Sequence, residues 1–388
     1  MGRCRSVLFW AWALMTLALT AAACQSSPAA SPTAIPAANP TPIPAASPTA
    51  IPTPVTDLRI VELDPEYPPS AVSGERYVSL GLDRELYLGN ISTGETRQLT
   101  TDGHRKREPA ISGDYVAWTD QRRQLVLDNS SRVTAEDTAD DIFLLNLEMG
   151  EQERITDVPA NRRYLRMSGR RLVWMDNRNE LEEHYTYFDI YAYDIVTGQE
   201  FPVAVAPGAQ SNPAIYGDTV VWEDNRNSPI KGASKSDCTG CPENKVDINL
   251  YDFATGEEKP VIESGSFNGS PSVYRDFIVW EGFLPGRAAT IYLLDLRTGE
   301  RLQIAETSGR MTKPLVTDHH VVWTVRTACD VRPTTRQGAG AFARDLNTGA
   351  LLQLSDYVEP KVITEANVAL VTEGCFIPQR VFAVFLDG

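Results

Sequence analysis

An all-β fold built from repeated four-stranded units is predicted by three observations. A tight turn leading into an apolar run recurs seven times: SGERYVSL from Ser73, SGDYVAW from Ser112, SGRRLVW from Ser168, YGDTVVW from Tyr216, YRDFIVW from Tyr274, TDHHVVW from Thr317 and TEANVALV from Thr364. Each is followed by a second strand-like run: ELYLGN, DIFLLN, DIYAYD, DINLYD, TIYLLD, AFARD and RVFAVFLD. No amphipathic helical pattern of any length competes with these strands.

Each element of the unit has its own signal. A Pro-x-Ile entry marks the innermost strand, as in Pro213 to Ile215. The Trp-terminated run that follows is apolar without alternation, as expected where a sheet packs on both faces. The Asp-Ile-Tyr strand comes third. A Thr-Gly turn (STGE from Ser92, then EMGE, VTGQ, ATGE, RTGE and NTGA) introduces a short outer strand such as RQLT or LQLS. Six such turns exist for seven units, and one strand, LRIVEL from Leu58 to Leu63, precedes the first unit with no unit of its own. A missing outer strand at one end and a spare at the other is what a closed ring needs. The expected architecture is therefore a seven-bladed β-propeller of four-stranded antiparallel blades, closed by the N-terminal strand 58–63 joining the C-terminal blade.

In chain order, residues 1–23 read as a signal peptide: Arg3 and Arg5, an apolar stretch from Val7 to Leu19, then Ala21, Ala22 and Ala23 before Cys24. The apolar core is too short to span a bilayer. The segment resembles a bacterial lipoprotein signal, which implies lipidation of Cys24; plain secretion with an idle thiol is the alternative. Residues 24–54 carry no charge and repeat at a period of eight (PAASPTAIP, PAANPTPIP, PAASPTAIP). Such a segment is a semi-rigid stalk of up to ~3 Å per residue, or ~90 Å in all, or else a disordered spacer. Residues 55–388 form the propeller.

The formal charge of −15 becomes −17 once Arg3 and Arg5 leave with the signal. Such acidity disfavours nucleic acid and anionic lipid, so the membrane link is expected from the anchor alone. A monomer is expected, with a protein or glycan partner in the envelope or outside the cell, and neither cofactor nor metal.

The units resemble the TolB-like or WD40-like β-propeller repeats of bacterial envelope proteins, through stretches such as NPAIYGDTVVWEDNRN from Asn212 and DINLYDFATGE from Asp247. The resemblance spans Leu58 to Gly388 and implies the fold. This chain carries a stalk where TolB has an α/β domain.

Three units add a charged box after the tryptophan: Trp118, Asp120, Arg122; Trp174, Asp176, Arg178; and Trp222, Asp224, Arg226. Strand alternation puts each trio on one face, at the end of the second strand. The same three units begin their third strand with Asp141, Asp189 and Asp247, whereas units five and six place Thr290 and Ala341 there. Structural salt bridges Arg122–Asp141, Arg178–Asp189 and Arg226–Asp247 are therefore expected across the base of each hairpin, the earlier Asp accepting turn N–H groups. A shared metal or ligand site, or a catalytic one, is the alternative.

The loops between second and third strands are long and unequal: Gln121 to Asp140, Asn179 to Phe188, Asn227 to Val246, and Thr327 to Gly340. All leave one rim, the candidate binding face. It carries Glu183, His184, Tyr185 and Tyr187, a mix suited to a sugar or a cationic peptide. Disulfides are expected for Cys329 with Cys375, and for Cys238 with Cys241; a four-cysteine zinc site is the alternative. Catalytic motifs such as Gly-x-Ser-x-Gly or His-Glu-x-x-His are absent. The favoured function is a lipid-anchored, non-enzymatic binding or scaffold module. The rival is a propeller hydrolase or lyase acting on polysaccharide, with Asp120, Asp176 and Glu183 as acid and base.

Overall fold

A computed structural model describes residues 59–122, 139–179, 187–228, 245–262, 267–283, 289–307, 310–326, 340–355, 361–365, 368–373 and 380–386. The expected signal and stalk, Cys24, and the disulfide candidates Cys238, Cys241, Cys329 and Cys375 lie outside them, as do Glu183, His184 and Tyr185. Among the described residues no helix is long and apolar enough to cross a membrane.

The described residues form seven four-stranded antiparallel sheets. Blade three gives the plan: Arg162–Ser168, Arg171–Asp176, Asp189–Asp194 and Gln199–Ala204, each paired with the next. The first strand of each blade touches the first strands of its neighbours, so these strands form the inner wall, and that of blade one also touches that of blade seven. Blade seven takes Lys361–Glu365, Val368–Glu373 and Arg380–Phe385, and its fourth strand is Ile60–Leu63, in register Ile60 to Val384 and Leu63 to Val381.

The recurrent tryptophan is a wedge between blades. Trp118, Trp174, Trp222 and Trp280 are all wholly buried. Trp118 packs on Val78 and Leu86 of blade one, and Trp174 on Ala110 and Ile142 of blade two. Trp222 packs on Val173 and Ile190, Trp280 on Val221 and Ile248, and Trp323 on Val279 and Ile291. Blade seven uses the smaller Val371 against Val322 and Ala343. The ends of the chain meet in a shared cluster of Tyr77 and Ile91 with Leu63, Leu370 and Val381. A side chain of tryptophan size buried in this way is worth about 3–5 kcal/mol against alanine.

Two backbone devices repeat. Gly94, Gly150, Gly198, Gly256, Gly299 and Gly349 all hold φ between 67° and 73° in the turn before the outer strand, which explains the regular recurrence of the Thr-Gly signal. The Asn or Asp four residues earlier caps each turn; Asn90 Oδ1, for example, accepts the amides of Ser92 and Thr93. The innermost strands of blades two to six each bulge, with a non-glycine residue in the left-handed region: Glu108, Tyr164, Asn212, Ser270 and Lys313. In four of the five a proline follows, contributing no N–H at a point where the ladder is broken. In blade three Leu165 stands there instead, and its amide donates to Glu108 Oε2 of blade two at 3.1 Å.

Candidate functional site: the loop-bearing rim

The second strands end, and the third strands begin, on one rim. Three of these hairpin bases set carboxylate opposite carboxylate: Asp120 with Asp141, Asp176 with Asp189, and Asp224 with Asp247. Like charges directly across a strand pair repel. The surrounding side chains relieve that repulsion in a regular way.

The first carboxylate of each pair is hydrogen-bonded from three sides. Asp176 Oδ2 accepts the Trp174 indole N–H at 3.0 Å and Arg178 Nη2 at 2.5 Å, while Oδ1 accepts the Arg178 amide at 2.9 Å. Asp120 takes Trp118 Nε1 at 3.2 Å, Arg122 Nη2 at 2.6 Å and the Arg122 amide at 2.8 Å. Asp224 takes Trp222 Nε1 at 3.0 Å, Arg226 Nη2 at 2.6 Å and the Arg226 amide at 2.9 Å. The tryptophan that wedges the blade thus also fixes the box in blades two to four. The expected turn N–H bonds to the first Asp are present.

Among the described residues the ion pairs of the three arginines go to acids other than the expected second carboxylates. Each guanidinium turns back to the Asp two residues before it and outward to a different acid. Arg122 reaches Asp102 at 2.9 Å, Arg178 meets Glu200 of the outer strand, and Arg226 meets Glu258 of the outer strand at 2.7 Å. On the way it lies on an aromatic ring of the third strand in two blades: Arg122 on Phe143 at 3.8 Å, and Arg178 on Tyr191 at 4.0 Å. The residue that does cross the hairpin is the neutral one after the arginine. Asn179 Nδ2 donates to Asp189 at 2.7 Å, and Asn227 Nδ2 donates to Asp247 at 3.0 Å. Asp141 lies 3.6 Å from Arg154 and 4.0 Å from Arg162. The asparagine inside the box ties down the incoming chain, since Asn177 Oδ1 accepts the Asn161 amide and Asn225 Oδ1 the Ala209 amide.

Two buried cations complete the network. Arg162 faces Asp176 across the innermost hairpin and donates from Nε at 3.0 Å, with both side chains fully buried. Lys106, in the same place opposite Asp120, is paired with Glu85 at 3.1 Å and with Asp102. In blade four Gln210 stands there. Burial alone would raise the Asp176 carboxyl, but the bond from Arg178 and the charges of Arg162 and Arg178 outweigh it and hold it below the usual carboxylate range. Asp140 behaves oppositely: burial pushes its carboxyl up although Arg107 stands 3.0 Å away.

Blade five reaches the same end by another route. Gly282 replaces the box Asp, Thr290 faces it, and the Trp280 indole turns to Asn268 Oδ1 at 3.2 Å. Arg301, on the outer strand where Glu200 and Glu258 stand in blades three and four, lies over Trp280 and Tyr292. In blade six the residue facing the second strand is Gly340, opposite Val325, one place before the Ala341 expected there. Tyr187 is half-buried beside the third strand of blade three.

Fold and rim together define a class: a seven-bladed propeller in which charged clamps hold the bases of second-to-third-strand loops on one face. No family model matches the sequence, and no curated protein matches it. Among solved structures the chain is similar to TolB from Acinetobacter baumannii, with 16% identity and a TM-score of 0.41, covering 84% of this chain and 63% of that one. It therefore spans less than two thirds of that protein. It is similar to an oligogalacturonate lyase in complex with manganese, with 13% identity and a TM-score of 0.55, over 80% of this chain and 86% of that one. It is similar too to the β-propeller domain of the Trilobed protease from Pyrococcus furiosus, with 15% identity and a TM-score of 0.53, over 85% and 93%. At these identities the likeness is one of fold, and the seven-bladed propeller expected from the repeat is the fold observed.

Proposed function

We propose that this chain is an exported, lipid-anchored propeller acting as a non-enzymatic binding or scaffold module, which engages a protein or glycan through its long-loop rim. The observation that carries this is the use to which the rim charges are put. Asp120, Asp176 and Asp224 each accept an indole N–H, an amide and a guanidinium, so each is bound three ways within the fold. Asp176 in particular is held ionised, which suits a clamp and not a general acid. What the clamps hold are the bases of loops that differ in length and composition from blade to blade, the usual arrangement for recognition on a rigid scaffold. The uncharged proline-rich stretch after Cys24 would set this rim away from the lipid surface.

Capture from an envelope extract tests the binding half. The full chain is compared with a variant in which residues 123–138, 180–186 and 229–244 are replaced by short Gly-Ser links. The intact rim is expected to retain a partner that the trimmed one does not; equal retention would sink the proposal. Changing Cys24→Ser tests the anchor, and is expected to move the protein from the membrane fraction to the soluble one.

A further inference from the structure

The inner wall of the ring reverses the charge of the protein. Across the whole chain 36 Lys and Arg face 51 Asp and Glu. Along the seven innermost strands there are eight Lys or Arg and two Glu. Two of those cations, Lys106 and Arg162, are consumed by the rim clamps. Others converge on a cavity of about 450 Å³ between the innermost strands of blades one, two, three and six, lined by Ser70, Glu108, Arg163, Tyr164, Arg166 and Lys313 among others.

Within it, Arg163 and Arg166 flank the left-handed bulge at Tyr164. Both residues line the cavity, the Arg163 guanidinium 6.0 Å from the centre of the Phe188 ring. Arg166 lies over the Tyr164 ring at 5.7 Å, and the Lys313 ammonium, from the far side of the wall, approaches the same ring at 5.5 Å. Among the described residues neither Arg163 nor Arg166 has a carboxylate within salt-bridge distance. Arg166 Nη1 donates to the carbonyl of Leu165, and Arg163 Nε to Asn161 Oδ1. Glu108 is the one acid on the lining, and one of its oxygens is taken by the Leu165 amide. Burial holds the Arg166 guanidinium below its ordinary value, only partly offset by Glu108. Guanidinium forks without a protein carboxylate among the described residues, gathered on one cavity, give it a positive potential.

We propose that this cavity is a binding site for a small organic polycarboxylate, a di- or tricarboxylate, held by the forks of Arg163 and Arg166 with Lys313 opposite. The volume suits a small molecule. Planar bidentate donation suits carboxylate oxygens. Arg166 and Lys313 meet at the Tyr164 ring, while Arg163 reaches toward the rim through Asn161 and Phe188.

The test is thermal denaturation of the full chain, in mild detergent at fixed ionic strength, titrated with citrate, inorganic phosphate or glycerol. Citrate is expected to raise the melting temperature saturably, as a ligand of the folded state does, and glycerol to give no saturable rise. Arg166→Gln and Arg163→Gln are each expected to need at least tenfold more citrate for the same rise. Arg297→Gln, an exposed arginine paired with Asp295, is expected to match the wild type. If Arg166→Gln fails to fold, the exposed Arg163→Gln decides the matter. No saturable rise with citrate, or an undiminished rise in both cavity variants, overturns the site. Phosphate matching or exceeding citrate overturns the carboxylate assignment.

Discussion

Asp176→Ala is expected to destabilise the propeller by about 3–5 kcal/mol, the cost of leaving a buried charge without its partner. The deprived charge is Arg162, whose side chain is wholly buried and whose Nε lies 3.0 Å from the lost carboxylate. The Trp174 indole and the Arg178 amide lose their acceptor at the same time. For a domain of this size the melting temperature should fall by about 4–7 °C. Glu200→Ala, which removes the partly exposed outer partner of Arg178, should cost about 1 kcal/mol or less. The pH dependence follows from the depressed folded pKa of Asp176. Its contribution is fully present above the unfolded carboxylate value of about 4 and is lost as pH falls through the lower folded value. The gap between wild type and Asp176→Ala should therefore be constant near neutrality and close in acid. A gap under about 1 kcal/mol at pH 7, by scanning calorimetry, would remove the clamp from the account.

Removing residues 59–63 should have the second large effect. These residues supply the outer strand of the last blade and bury Leu63 in the cluster shared by blades one and seven. Without them the strand Arg380–Phe385 becomes an open edge, a template for pairing with another chain. The shortened protein is expected to melt at least about 10 °C lower, combining the loss of a buried leucine with that of a strand ladder. It should also elute as oligomers on size exclusion. A monomer of unchanged melting temperature would show that the ring holds without this strand.

Much of this was legible in the sequence because the repeat is strong. Seven apolar runs, six Thr-Gly turns and an orphan strand set the blade number, and each turn glycine is found in the left-handed conformation that makes it recur. The partners of the charged box were not legible, for a physical reason. Counting back from the Ser112–Tyr115 turn as an ideal hairpin puts Arg107 opposite Asp120, and counting from Ser168–Arg171 puts Arg163 opposite Asp176. The bulges at Glu108 and Tyr164 shift the register by one, so Lys106 and Arg162 stand there instead. Pattern alone does not reveal a bulge whose central residue is Glu or Tyr rather than glycine. Glu200 and Glu258 were missed for another reason: they stand next to the turn on the outer strand, one strand beyond the hairpin whose base the pattern compared. Co-occurrence of Asp-x-Arg with Asp-Ile did signal a real partnership, but the bridging residue is the uncharged asparagine next along the chain, Asn179 or Asn227.

The central claim is that the charged boxes hold the rim while the loops above them do the binding. Partner retention by a variant carrying Arg122→Gln, Arg178→Gln and Arg226→Gln tests this most directly, measured well below its melting temperature beside the loop-trimmed protein. The arginine variant is expected to melt lower than wild type, its buried carboxylates having lost their guanidinium partners, yet to retain the partner in full, whereas the loop-trimmed protein is expected to retain nothing. Loss of the partner by the folded arginine variant, with retention by the trimmed one, would contradict it and put the binding chemistry in the boxes themselves.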